Sequence, residues 1–184
     1  MYWLPNLITL GRLLMVPVVA LLLSNQLYAA AFWLFLLVGI SDGLDGYIAR
    51  RFEVTSVAGA LLDPVADKMV TMTCAFVLAW NGWLPLWLAV PLIARDIVML
   101  VVCVTDPRLE DRWPAPNLIG KIHSALAFST LTITIAQAAQ FVDIGWGLTL
   151  LFVLLFCTVS GSGIFYFVAW LRARRESQIG SSAA

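Results

Sequence analysis

Charge is scarce in this chain. Lys and Arg number 11 and Asp and Glu 11 among 184 residues, so 12% are charged and the net charge is zero. Ordinary soluble domains carry about 25% charged residues. A neutral chain also has no long-range field that would gather nucleic acid or an acidic partner. Cysteine is nearly absent. Cys74, Cys103 and Cys157 lie far apart with no Cys-x-x-Cys pair, which argues against a disulfide framework and a zinc site. They read as small buried apolar residues. The first nine residues contain no Lys or Arg, so the basic region of a cleaved signal peptide is missing, although the run 13–23 is apolar. There is no internal repeat, low-complexity segment or linker. A single domain over 1–175 is expected, with 176–184 a polar, frayed tail.

What fills the chain is apolar. It is 61% hydrophobic with a mean hydropathy of +0.92. Six stretches approach the ~20 apolar residues that a spanning helix needs: about 7–23, 30–49, 59–80, 84–104, 118–140 and 146–171. The expected fold is therefore all-α, a polytopic membrane protein with six transmembrane helices. The breaks near 24–29, 81–83 and 141–146 contain no Lys or Arg. The others hold Arg50 and Arg51, then Arg108, Arg112 and Lys121, and the ends hold Arg12 and Arg172, Arg174 and Arg175. The positive-inside rule puts both termini and the two basic loops in the cytoplasm. Trp80, Trp83, Trp87, Trp113 and Trp146 fall near span ends, as an aromatic belt would.

Against that background stand four aspartates within 26 residues: Asp42, Asp45, Asp63 and Asp67. A carboxylate at membrane depth costs roughly 2.5–3.5 kcal/mol on insertion scales, so these four demand positive charge. Asp42 and Asp45 are three apart and share a helix face, as do Asp63 and Asp67, four apart. An antiparallel helix pair can aim both carboxylate pairs at one point. Hard carboxylate oxygens suit magnesium, manganese or calcium. Two such dications would neutralise four aspartates, and two metals about 3.5–4 Å apart form a clamp for displacement at phosphorus. Gly43, Gly46, Ala49, Gly59 and Ala60 keep the helix faces low. Arg50 can grip a phosphate bidentately. The bland alternative is helix-joining ion pairs with Arg50, Arg51, Lys68 or Arg95. Four clustered aspartates interleaved with glycines favour a metal-held phosphate compound whose apolar part lies in the bilayer.

These residues resemble the signature of the CDP-alcohol phosphotransferases, Asp-x2-Asp-Gly-x2-Ala-Arg-x8-Gly-x3-Asp-x3-Asp. Asp42, Asp45, Gly46, Ala49, Arg50, Gly59, Asp63 and Asp67 meet it without a miss. Pro5-Asn6-Leu7-Ile8-Thr9 with Arg12, and Asp63-Pro64-Val65-Ala66-Asp67-Lys68, resemble its bacterial phospholipid-synthesis branch. The resemblance implies transfer of a phosphatidyl group from CDP-diacylglycerol to an alcohol, with release of CMP. It implies two divalent ions, Mg2+ or Mn2+, on Asp42, Asp45, Asp63 and Asp67. Asp67 would also be the base for the acceptor hydroxyl. Asp42, Gly46, Ala49, Arg50 and Gly59 would line the CDP site. It further implies a homodimer, embedded among membrane lipids in the bacterial inner membrane with its site facing the cytoplasm.

The acceptor is written less clearly. Family members that take glycerol 3-phosphate typically carry Gly-Lys-x-Lys-Thr at the start of helix five; this chain has Gly120-Lys121-Ile122-His123-Ser124. Its Ala94-Arg95-Asp96 segment looks more like the cardiolipin synthases, which use phosphatidylglycerol. Phosphatidylglycerol is thus the favoured acceptor and glycerol 3-phosphate the alternative, with inositol phosphate or serine behind. Arg95, Lys121 and His123 are candidate acceptor residues. Each also has a plainer reading: Arg95 as counter-ion to Asp96 or a site aspartate, Lys121 as a snorkelling interface residue, His123 as a core or capping histidine. A membrane prenyltransferase would place its aspartate pairs farther apart. A magnesium channel would need polar residues at every depth.

Overall fold

The computed structural model describes residues 3–52, 57–105 and 118–163, with side chains described at 11–41, 65–101 and 120–163. All regular structure among them is helical: α1 (Trp3–Ser24), α2 (Tyr28–Phe52), α3 (Val57–Trp80), α4 (Leu86–Thr105), α5 (Leu118–Ala138) and α6, helical over 147–163. The six expected stretches correspond to these six helices. The loop 106–117, with Trp113, and the tail lie outside the described residues. Counting described residues only, no helix is long and apolar enough to cross a membrane.

Three helices end in the same way. Gln26 and Gly82 take left-handed φ values of 60° and 81°, and Gln140 takes 61°. At each, the left-handed residue's N–H bonds three residues back and the next N–H bonds five back: Gln26 to Leu23 and Leu27 to Leu22, Gly82 to Ala79 and Trp83 to Leu78, Gln140 to Gln137 and Phe141 to Ala136. This is the Schellman cap. It satisfies carbonyls that a helix end leaves bare, and an apolar residue commonly follows it. Leu27, Trp83 and Phe141 fill that place.

The three capped turns meet. Asn81 Nδ2 donates to the Leu23 carbonyl at 2.9 Å, and Trp83 Nε1 donates to the Tyr28 hydroxyl at 3.1 Å. Phe141 rests edge-on against Phe32, with ring centres 5.3 Å apart. All three turns therefore share one pole of the bundle, and none carries a Lys or Arg. Trp80 and Trp146 are over 80% exposed there.

From this pole the helices run to the opposite, charged one. Helix α1 packs on α2 and α3, α3 on α4, and α5 on α2 and α3. Among the described residues α2 and α3 are joined mainly through α1 and α5, not through a broad face of their own. Val19, Leu23, Phe35, Leu78, Leu131 and Leu155 form the buried middle. One close approach sets the seat of α2. The Phe128 ring of α5 stacks on Phe35 at 4.8 Å and lies across Gly39, where a Cβ would sit 2.0 Å from Phe128 Cζ. A side chain there, three residues before Asp42, would have to displace the Phe128 ring. Cys74 is buried as expected, but Cys157 is exposed. It occupies the outward face of α6, whose inward face is Phe152, Leu155 and Val159. Cys103 lies outside the described residues.

Candidate active site

The aspartates lie on two unbroken helices. Helix α2 is continuous through Asp42, Asp45, Gly46, Ala49 and Arg50, and α3 through Gly59, Asp63 and Asp67. At 3.6 residues per turn, the spacings of three and four do give each carboxylate pair a common face. Among these residues only Asp67 has a described side chain, and it is half-buried. Among the described residues no group of three or more metal-ligating side chains occurs; Asp42, Asp45 and Asp63 lie outside them. As a donor set, four carboxylates are hard oxygen ligands of the kind divalent ions take.

Beside Asp67 the structure assembles an ionic cluster. Asp96 Oδ1 lies 2.7 Å from Arg95 Nη1 and 3.4 Å from Lys68 Nζ. Asp96 and Arg95 are buried, and the Lys68 side chain is only 17% exposed. One carboxylate from α4 thus faces a cation of its own helix and one of α3. Thr71 supports the same turn of α3, its hydroxyl donating to the Asp67 and Lys68 carbonyls at 3.2 and 3.1 Å. Arg95 also reaches across to α6, its Nε donating to Ser162 Oγ at 3.1 Å. The Ser162 hydroxyl gives its own hydrogen to the Val159 carbonyl, so toward Arg95 it can only accept.

The three acceptor candidates separate. Arg95 is buried and paired with Asp96, as its plainer reading as a counter-ion has it. Lys121 is exposed, as an interface residue would be. His123 is fully buried, with Nδ1 3.1 Å from Thr158 Oγ1. Three members escaped sequence reasoning. Lys68 figured there only as a possible counter-ion and a motif neighbour, because its Asp96 contact spans 28 positions. Thr158 and Ser162 sit in an apolar run with no charge nearby. Their one signal was a spacing of four, which puts both hydroxyls on one face of α6.

Helix α3 thus carries Asp67 directly beside a buried Lys–Asp–Arg cluster, an arrangement suited to a charged ligand. The family model for CDP-alcohol phosphatidyltransferases matches residues 2–171. The chain belongs to the CDP-alcohol phosphatidyltransferase family.

Several curated relatives refine this. A cardiolipin synthase (CMP-forming)/mitochondrial hydrolase fusion protein of Schizosaccharomyces pombe is 36% identical over 91% of this chain, but that match covers 31% of the fusion. A cardiolipin synthase (CMP-forming) of Streptomyces coelicolor is 32% identical, covering 79% of this chain and 76% of its own. A CDP-diacylglycerol–glycerol-3-phosphate 3-phosphatidyltransferase of Arabidopsis thaliana, chloroplastic/mitochondrial, is 33% identical over 91% of this chain and 58% of its own. Both acceptor readings thus have named relatives among phosphatidyltransferases, and the enzyme class expected from the aspartate motif is the one the family carries.

Proposed function

We propose that this CDP-alcohol phosphatidyltransferase family member moves a phosphatidyl group from CDP-diacylglycerol to phosphatidylglycerol and releases CMP. The observation that carries the reading is the unbroken eight-position motif from Asp42 to Asp67, on two helices of which the second carries Lys68 to the Asp96–Arg95 pair. The Streptomyces relative, matched over most of both chains, supports phosphatidylglycerol as acceptor. Glycerol 3-phosphate is the second reading, favoured by Lys121 and by the plant relative.

Asp42, Asp45, Asp63 and Asp67 would hold two Mg2+ ions, with Mn2+ a substitute. Bound there, such ions neutralise the diphosphate and stabilise CMP as the leaving group. Arg50 pairs with donor phosphate, while Gly46, Ala49 and Gly59 leave room for the CDP moiety. Asp67 takes the proton of the acceptor hydroxyl as it attacks. Arg95 orients the acceptor's phosphodiester. Lys121 lies at the rim and attracts it.

The domain spans 1–175, crosses the membrane six times with both termini in the cytoplasm, and forms a homodimer in a bacterial inner membrane. Support comes from large apolar side chains left bare on the helix surfaces, among them Leu14, Trp33, Leu37 and Val90 at about 60% exposure. At 1.5 Å per residue, helices of 20 to 25 residues reach roughly 30–37 Å. In the sequence the apolar run of α4 continues to Thr105 and that of α6 to Leu171. Purified protein given CDP-diacylglycerol, Mg2+ and each acceptor in turn should release CMP with phosphatidylglycerol. If CMP appears with glycerol 3-phosphate and not with phosphatidylglycerol, the acceptor assignment is wrong.

A further inference from the structure

His123 carries an uncompensated polar atom. It is fully buried, and its Nε2 has no hydrogen-bond partner. A buried lone pair without a donor costs on the order of 1–3 kcal/mol, so a fold that keeps one has a reason or a missing partner. The other ring nitrogen fixes what that partner must be. The Thr158 hydroxyl gives its hydrogen to the Leu155 carbonyl at 2.8 Å. With its hydrogen on that carbonyl, the Thr158 oxygen meets His123 as an acceptor, an arrangement that assigns the ring proton to Nδ1. In the neutral ring Nε2 is then a bare acceptor. It can take a hydrogen bond from a hydroxyl, but it has nothing to offer the oxygen of an ionised phosphate.

Position narrows this further. The ring is tied to α6 through Nδ1, and Nε2 has no such tie to any helix. Helix α5 packs on α2 and α3, the two helices that bear the aspartates. Arg95 and Lys68 are near enough to act on the ring electrostatically. Thr158, the partner of His123, is one turn from Ser162, the partner of Arg95. Four residues of helix separate Thr158 from Ser162 by about 6 Å, so the His123 ring and the Arg95 guanidinium are held from neighbouring turns of α6.

We propose that His123 Nε2 accepts a hydrogen bond from the non-reacting hydroxyl of the acceptor's glycerol, and so selects a vicinal diol. The neighbouring terminal hydroxyl is the one that attacks and yields its proton to Asp67. Thr158 is a positioning residue, since it acts by holding the ring in this tautomer. The inference rests on the proposed use of a glycerol acceptor. It is indifferent to whether that glycerol comes from phosphatidylglycerol or from glycerol 3-phosphate.

The test compares each acceptor with an analogue lacking the middle hydroxyl: phosphatidyl-1,3-propanediol against phosphatidylglycerol, and 3-hydroxypropyl phosphate against glycerol 3-phosphate. The wild-type protein should prefer the diol by about tenfold in kcat/KM, the worth of one such hydrogen bond. His123→Asn keeps a donor toward Thr158 but withdraws the acceptor at the Nε2 position. It should lose the preference, with the KM for CDP-diacylglycerol unchanged. His123→Gln, which can restore an oxygen there, should keep most of it. Thr158→Val should narrow it. A wild-type preference near unity overturns the proposal whatever the variants do, as does a preference that survives in His123→Asn. The product formed, cardiolipin or phosphatidylglycerophosphate, reports separately on the acceptor assignment. A diol preference seen only with glycerol 3-phosphate would refute that assignment and uphold the role of His123.

Discussion

The two poles of the bundle are held by different forces. At the capped pole, order is local. Three Schellman turns satisfy the ends of α1, α3 and α5 with backbone bonds, and aromatic rings and one amide join them. At the charged pole, order is remote. Lys68 meets Asp96 from another helix, Arg95 meets Ser162 from a third, and His123 meets Thr158. Backbone caps hold whatever ligand is bound. Ionic groups held by other side chains can be rearranged by a charged substrate, so binding chemistry belongs where the side chains do the holding. The comparison implies that damage at the capped pole should cost stability alone, whereas damage at the charged pole should cost activity as well.

The largest effect is expected from Asp67→Asn. Removing the proton acceptor should lower CMP release by two to four orders of magnitude, roughly the worth of a general base, while CDP-diacylglycerol binding persists. Turnover at the wild-type rate would remove Asp67 from the mechanism. Next comes Asp96→Asn, which leaves Lys68 and Arg95 without their shared carboxylate. Breaking a buried ionic group by removing one partner costs about 3–5 kcal/mol. Thermal unfolding in detergent should show this, and Arg95's grip on the acceptor should loosen, raising the acceptor KM. An unchanged melting temperature would mean the cluster is not an ionic lock.

Gly39→Ala tests the seat of α2. Its new Cβ would strike the Phe128 ring, and overpacking of this kind costs about 1–3 kcal/mol. A second substitution, Phe128→Leu, should recover most of the loss. Failure of that rescue would put the cause elsewhere. The smallest effect belongs to the capped pole. Gly82→Ala forces a Cβ into the left-handed region at a cost of about 1–2 kcal/mol, with kcat and both KM values unaltered once the protein is folded. A change in acceptor KM would break the division between the poles.

Much of the fold was legible because apolar runs and Lys/Arg asymmetry are properties of composition along the chain. The six stretches and the six helices agree to within a few residues, α6 being described as far as residue 163. The capped turns fall in or beside the expected breaks near 24–29, 81–83 and 141–146, but only Gly82 signals the left-handed φ that Gln26 and Gln140 also adopt. The aspartate motif was legible because its eight positions lie within 26 residues of each other. The ionic cluster beside Asp67 was not. Lys68 and Asp96 are 28 residues apart, and Arg95 and Ser162 are 67 apart. Only folding brings them together. Thr158 and Ser162 also look like filler in an apolar helix until Arg95 and His123 are seen to need acceptors.

The Lys68–Asp96 contact has a mechanical consequence. Successive residues on a helix are turned by about 100°, so fastening Lys68 to α4 also sets the compass bearing of Asp67, its immediate neighbour. Helix α3 cannot roll about its long axis without pulling the ammonium off the carboxylate. The bond therefore works as a key in a shaft: it transmits no chemistry, yet it decides which way the Asp67 carboxylate points.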